Sequence, residues 1–368
     1  MSHQLKDLYS PGFYQRFSMV LEKVLSGFDS KAFQKLIFDE AWDSRELKDR
    51  MWHTSQVLHR FFPQDFKQSG QLIIQLVDIL IAEGFTDAGL QFMCLPDYVE
   101  RYGIEDLETS EKVFEHLTAF ASCEFAVRPF LVRYPEKMIK KMVAWSKHPN
   151  EHVRRLASEG SRPRLPWAMA LPAFKKDPTP VLPILENLKN DESEYVRRSV
   201  ANNLNDIAKD NPQITLKTCY RWFGETRDTD RLVKHACRTL LKAGNTEALQ
   251  LFGYGDPQNF EISGFEIETP VVRFGEELRF SFRVKNTVKT TALVRLEYGM
   301  HFMKANGSLS KKIFKISEKQ IDAKSQHHVK RKQSFRPIST RKYYPGRHEI
   351  SVIINGEEKA RKTFELLT

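Results

Sequence analysis

The feature that most constrains this chain is a change of hydrophobic period near residue 255. Upstream, apolar residues recur at three- and four-residue spacing. Val113, Phe114, Leu117 and Phe120 form one stripe, Val196, Val200, Leu204 and Ile207 a second, and Leu232, Ala236 and Leu240 a third. Such spacing predicts amphipathic helices, because a 3.6-residue turn brings those side chains to one face. Prolines at 129, 135, 149, 163, 166, 172, 178, 180, 183 and 212 cut this region into short helices. Downstream the period drops to two, with β-branched and aromatic residues at alternate positions in 278–284, 292–298 and 348–354. Turn signals at Lys285-Asn286-Thr287, Asn306-Gly307 and Asn355-Gly356 separate the runs. The expected fold is therefore α then β: a helical domain over 1–255, followed over 256–368 by an antiparallel sandwich of immunoglobulin type with seven or so strands.

The helical part carries a faint repeat. Glu151-His-Val153-Arg-Arg155-Leu-Ala157 is echoed by Glu194-Tyr-Val196-Arg-Arg198-Ser-Val200 and, more weakly, by Arg231-Leu-Val233-Lys-His235-Ala-Cys237. The valines are 43 and 37 residues apart, near the ~40–47 of HEAT repeats. A helix pair of that length cannot bury its own apolar face, so neighbouring units stack into a HEAT-like α-helical solenoid with a concave surface.

Charge narrows the partner. The 368 residues carry a net +10, unevenly spread: −8 over 1–127, +9 over 128–176, −1 over 177–260 and +10 over 261–368. Two separate basic regions point to a polyanion, and nucleic acid is the expected one. Four widely spaced cysteines (Cys94, Cys123, Cys219, Cys237) form no CxxC pair, which argues against a zinc module or a disulfide-stapled secreted domain. With no signal-peptide pattern at the start and no apolar run long enough to cross a bilayer, a soluble intracellular protein is expected. His148 and His152 are separated by a helix-breaking Pro149 and lack a third ligand, so no metal is expected, and no nucleotide-cofactor motif is present.

Three carboxylates stand out. Glu124 continues the stripe 113, 117, 120, so a helix is expected to hold it among apolar side chains, where a charge needs a partner. Arg155, Glu159 and Arg162 share one helical face and lead into Arg162-Pro-Arg164-Leu-Pro-Trp167. A tryptophan alone reads as core, but beside these three arginines and two prolines it reads as part of a nucleic-acid surface. Tyr195, Ser199, Asn202 and Asp206 line the polar face of the next repeat, so Asp206 is expected to share a concavity with Glu159.

The run from His148 to Trp167 resembles the core motif of the AlkC-type DNA alkylation-repair glycosylases. Val196 to Asp206 is similar to that family's next repeat, and Ser122-Cys-Glu124-Phe125 to its preceding helix. The resemblance covers roughly residues 5–255, and an immunoglobulin-like C-terminal domain occurs in one subgroup. It implies a monofunctional glycosylase that removes 3-methyladenine and related N3-methylated bases from duplex DNA in a bacterial cytoplasm, as a monomer without cofactor. It also implies Glu124, Glu159 and Asp206 as the active-site acids, Arg155 and Arg162 on backbone phosphates, and Trp167 and Phe125 around the exposed nucleotide. Arg164 joins them as a DNA contact.

A cationic methylated base already leaves readily, so the chemistry asks for charge stabilisation at the sugar and a positioned water, both within reach of carboxylates. A shallow solenoid is expected to expose the lesion by bending DNA rather than by deep extrusion. The stretch Lys324 to Arg347 holds eight Lys/Arg and no acid. Lys330, Arg331 and Lys332 within it either grip the far side of the duplex or form a charged edge that discourages strand pairing. The competing reading of the whole chain is a non-catalytic HEAT scaffold that binds nucleic acid or protein.

Overall fold

A computed structural model of the chain describes residues 4–85, 89–338 and 341–368. Two positions of the basic Lys324–Arg347 stretch, 339 and 340, lie outside the described residues. The helical region runs α1 (Pro11–Val24), α2 (Ser30–Ile37), α3 (Leu47–His59), α4 (Phe66–Ala82), α5 (Cys94–Tyr102), α6 (Leu107–Leu117), α7 (Val127–Arg133) and α8 (Pro135–Trp145). It continues with α9 (Glu151–Gly160), α10 (Pro172–Lys176), α11 (Leu182–Leu188), α12 (Glu194–Ile207), α13 (Pro212–Trp222), α14 (Arg227–Ala236), α15 (Arg238–Lys242) and α16 (Thr246–Leu251). Prolines open α1, α8 and α10, where the missing N–H would have had no partner. Asp29, Asp65, Asp106, Asn150 and Asn245 cap the helices that follow them through side-chain oxygens. No helix among the described residues is long and apolar enough to cross a membrane.

The chain folds into two compact units, Met1–Asn211 with Trp222–Ala236 and Pro212–Arg221 with Cys237–Thr368. In the first, α3 packs on α5 and α5 on α7, while α9 packs on α12 and α12 on α14. The three copies of the repeat are thus α9, α12 and α14, side by side in order. Each predicted stripe is buried: Val196, Val200, Leu204 and Ile207 are all at most 1% exposed, and each such side chain contributes roughly 1.5–3 kcal/mol of transfer free energy. The third stripe spans two helices, because α14 ends at Ala236 and Leu240 belongs to α15.

In the first two copies, the arginine that follows the repeat's valine joins neighbouring repeats. Arg154 donates to both oxygens of Asp191 (2.6 and 3.0 Å) and to the carbonyls of His148 and Pro149. Arg197 donates to the carbonyls of Asp191 and Glu192 and pairs with Asp228 at 3.1 Å. A planar, bidentate group suits this half-buried bridging position.

In the second unit lie β1 (Phe260–Ile267), β2 (Val271–Arg273), β3 (Glu277–Asn286), β4 (Ala292–Met303), β5 (Leu309–Ile321), β6 (Gln326–Ser334), β7 (Gly346–Ile354) and β8 (Glu357–Leu367). One sheet has the order β1-β3-β6 and the other β2-β8-β7-β4-β5. The alternating run on β3 sends Leu278, Phe280, Phe282 and Val284 into the core, with Val294, Leu296, Ile350 and Val352 from the second sheet. Asn355 and Gly356, both with positive φ, make the two-residue turn between β7 and β8.

Candidate active site

The expected helical placement of Glu124 is corrected by the structure. Helix α6 stops at Leu117, and Glu124 lies in the turn that leads to α7. The hydrophobic period runs on through this turn because Phe120 still packs inward after the helix has ended. Glu124 nevertheless stays close to the α9 face: Arg155 Nη1 lies 3.1 Å from Ser122 Oγ and 3.5 Å from Glu124 Oε2.

From there an alternating row of acids and bases crosses α9 and α12. Arg155 Nη2 is 3.8 Å from Glu159 Oε1, and Arg162 Nη1 donates to the same oxygen at 2.6 Å. Arg162 also reaches Asp206 Oδ2 through Nε and Nη2, each at 2.9 Å, and Lys209 Nζ donates to Asp206 Oδ1 at 2.9 Å. Ser199 Oγ donates to Glu159 Oε2 at 2.6 Å. Three carboxylates from three chain segments are thus joined through two guanidiniums, and Glu159, Arg162 and Asp206 are buried.

The acids outweigh desolvation at both arginines. Burial alone would lower the Arg155 pKa, but Glu124 and Glu159 raise it above its usual value. Arg162 is likewise opposed by burial and raised by Glu159 and Asp206. The Arg155 guanidinium also lies 4.5 Å over the Tyr195 ring. Burial first, then repulsion by Glu124, Glu159 and Glu151, raises the Tyr195 hydroxyl, against the pull of Arg155.

The acids are not equally occupied. Both oxygens of Glu159 and both of Asp206 hold close donors, whereas among the described residues Glu124 makes only the long contact to Arg155 and keeps 14% of its side chain exposed. Glu124 is therefore the acid most open to an incoming ligand.

Trp167 stands on the segment that leaves α9. It is 61% exposed and adopts φ +67°, a left-handed conformation that costs a bulky residue on the order of 1–3 kcal/mol. The segment is held by Leu165 and Leu171, which are buried, and by a hydrogen bond from Leu171 N to Pro163 O (3.1 Å). Phe125 is half-buried beside Ala126, and the Lys48 ammonium lies 5.5 Å from its ring. Arg164 is drawn off by a bidentate pair with Asp210 (2.9 and 2.6 Å).

Arg128 escaped the sequence reading. Its guanidinium is fully buried and donates to the carbonyls of Met169 (2.7 Å), Gly160 (2.9 Å) and Arg162 (2.8 Å). It clamps both ends of the Trp167 segment. Burial, then repulsion from Arg162, lowers its pKa to about 10 despite Asp206 and Glu159. A lone charge inside the apolar run Phe125-Ala-Val-Arg128-Pro-Phe-Leu-Val was the available signal.

Among the described residues no group of three or more His, Cys, Asp or Glu is arranged to hold a metal ion. In the second unit, Lys332 pairs with Glu277 (2.9 Å), Arg331 donates to the carbonyl of Ile316 (3.1 Å), and Lys330 is exposed. All three lie on β6, at the edge of the three-stranded sheet.

Comparison with known proteins adds to this geometry. A family model described as "DNA alkylation repair enzyme" matches residues 51–217, and one described as "Uncharacterised protein YhaZ, C-terminal Ig-like domain" matches 261–368. The chain is 42% identical over 362 residues to the Bacillus subtilis (strain 168) protein named "Uncharacterized protein YhaZ", covering 98% of this chain and 99% of the relative. It is also similar to the solved structure of the Pseudomonas fluorescens alkylpurine DNA glycosylase AlkC bound to DNA containing an abasic site analog. That likeness has TM-score 0.93 and 36% identity and covers all of both chains.

Proposed function

Because the chain belongs to the DNA alkylation repair enzyme family, in the form that carries a C-terminal Ig-like domain, we propose that it is a monofunctional alkylpurine DNA glycosylase. Residues 1–255 form its catalytic domain and 256–368 a DNA-contacting domain. Its substrates are cationic N3-methylated bases in duplex DNA, 3-methyladenine foremost and 3-methylcytosine beside it. The observation that carries this reading is the row Glu124–Arg155–Glu159–Arg162–Asp206. A scaffold protein gains little from gathering three acids from separate segments at the foot of an exposed, strained tryptophan.

In the proposed reaction the methylated base leaves as a neutral molecule, and positive charge develops on the sugar. Glu159 and Asp206, buried and held by fixed donors, supply a preorganised negative field that strengthens at low local dielectric. Glu124, with one oxygen unoccupied among the described residues, positions the attacking water and accepts its proton. Both guanidiniums are engaged by carboxylates in the free protein, so Arg162 first fixes the acids. Arg155, at the more open end of the row, turns toward a phosphate when DNA arrives. Trp167 and Phe125 pack where the nucleotide is exposed. Lys209 is committed to Asp206 rather than set to attack the sugar, and the product is an abasic site in an uncut strand.

Bending DNA by 40–90° costs roughly 1–6 kcal/mol, offset by phosphate contacts at Arg155, Arg164 and the C-terminal domain. Lys330, Arg331 and Lys332 contribute there, together with a groove of about 480 Å³ lined by Lys304, Lys312, Arg341, Lys342 and Tyr344. The protein acts as a monomer, without metal or cofactor, on the DNA of a bacterial cytoplasm.

Chromatography of bases released from methylated duplex DNA tests the reading. Wild type releases 3-methyladenine, and Glu159→Gln loses about 10²–10³ in rate while DNA binding persists. Absence of release by the wild type would leave only a scaffold.

A further inference from the structure

Helix α12 carries a second buried stripe that its hydrophobic period does not account for. Ser199, Asn203 and Asp206, spaced i, i+4 and i+7, are each at most 2% exposed and lie against α9 and the segment that follows it. Stacked helix pairs normally close such a seam with apolar side chains. The repeat register shows the departure. The place that Ser199 fills in the second copy is held by Leu156 in the first and by Ala236 in the third, both buried. Asn203 likewise stands where the third copy has Leu240. A buried hydroxyl or amide without a partner costs stability, so the departure has to be matched by what these groups hold.

They hold the end of α9. Asn203 Nδ2 donates to the Ser158 carbonyl at 2.8 Å and to Ser161 Oγ at 3.3 Å, which fixes the turn that contains Glu159. Ser199 Oγ lies 2.6 Å from Glu159 Oε2 and 3.0 Å from Ser158 Oγ. A hydroxyl has one proton to give, and the ionised carboxylate is the nearer and stronger acceptor. Arg162 Nη1 binds the other oxygen of Glu159 at 2.6 Å. Donors from two chain segments thus occupy both oxygens, and the carboxylate cannot turn about its terminal bond without breaking one of these contacts.

We propose that Ser199 is a positioning residue for the glycosylase reaction, whose hydroxyl fixes the orientation of the Glu159 carboxylate. The proposal deepens the glycosylase reading and rests on it. An acid stabilises charge developing on the sugar most effectively when it need not reorganise as that charge appears. Held by Arg162 alone, Glu159 would keep only one oxygen in place. A neutral donor also has an advantage over a further cation. It orients the acid and leaves its negative charge available, whereas a third guanidinium beside Arg155 and Arg162 would neutralise more of the field that the reaction uses.

The experiment measures base release from methylated duplex DNA by the full chain carrying Ser199→Ala, Ser199→Thr or Ser199→Val. The third copy already packs an alanine at this place, so Ser199→Ala suits the seam. That variant is expected to lower kcat for 3-methyladenine release about tenfold to a hundredfold, with KM within about twofold of wild type. Threonine and valine have nearly the same shape, so strain from the added bulk cancels between those two variants. Ser199→Thr, which keeps the hydroxyl, should therefore retain a kcat at least about tenfold above that of Ser199→Val. A Ser199→Ala kcat within about twofold of wild type, a loss carried mainly by KM, or equal kcat in the threonine and valine variants overturns the proposal. Release by wild type that Ser199→Ala leaves undiminished removes the positioning role and keeps the enzyme, whereas no release by wild type removes both.

Discussion

Arg162→Met keeps the length of the side chain and removes the link between Glu159 and Asp206. In the native fold that guanidinium contacts Glu159 at 2.6 Å and Asp206 at 2.9 Å, with all three groups buried. Deleting one partner of a buried pair costs about 3–5 kcal/mol, because the remaining charge loses compensation without regaining water. Glu159 would retain the Ser199 hydroxyl and Arg155 at 3.8 Å, and Asp206 would retain Lys209. These remaining partners place the loss near the lower end, at about 3 kcal/mol. At about 2–4 °C per kcal/mol for a unit of this size, the melting transition of the helical part falls by roughly 6–12 °C, read by scanning calorimetry at neutral pH. Arg162→Lys recovers only part of this, since one ammonium cannot match the fork that spans two carboxylates. Combining Arg162→Met with Glu159→Gln should give less than the sum of the single losses, with a coupling of about 1–3 kcal/mol. A melting point within about 2 °C of wild type, or strict additivity in the cycle, would falsify the view that Arg162 holds the acids together.

Glu124→Gln should lower kcat for base release by about 10²-fold with little change in KM, as single-turnover and steady-state rates would show; an unchanged kcat assigns the water to another group. Glu100→Gln should stabilise the protein in a pH-dependent way. The Glu100 carboxyl has its pKa raised from 4.5 to about 7, so its ionisation disfavours the folded state. Wild-type stability from this group is full below about pH 4.5 and falls until about pH 7. The advantage of the variant therefore grows over that window to as much as about 3 kcal/mol, measurable by urea unfolding at several pH values; a constant difference would show that Glu100 is solvated. Trp167→Ala removes an exposed side chain that no core needs, so activity on duplex DNA should drop at least about tenfold with the melting point within a few degrees of wild type. A large loss of stability would place Trp167 in the fold rather than at the substrate.

Residues within one regular element were the legible ones. The stripe from Val196 to Ile207 and the face shared by Arg155 and Glu159 follow from helical period alone, whereas Arg162 lies beyond the end of α9 at Gly160 and reaches the same acid from the segment that follows. The repeat register brought Asp206 toward that face, since α12 occupies the place next to α9 that the second copy predicts. Glu124 shows the limit of this reasoning: apolar period cannot distinguish a helix from a turn that keeps Phe120 inside. Arg128 and Glu100 lay beyond it for another reason. Arg128 bonds to backbone carbonyls 32 to 41 residues away, and a carbonyl carries no residue identity to be read. Glu100 owes its raised pKa first to burial and then to Asp97, and burial exists only once α5 (Cys94–Tyr102) has packed in the fold.

The Arg128 clamp has a mechanical consequence. For the segment bearing Trp167 to swing away, a buried guanidinium would have to surrender its carbonyls while still enclosed. A penalty of even about 3 kcal/mol keeps such open forms below roughly one molecule in a hundred. In the proposed enzyme the Trp167 segment therefore behaves as a stiff wall rather than a flap. The work of fitting passes to the duplex, and lesions in easily deformed sequence steps should be repaired faster than the same lesions in stiff tracts.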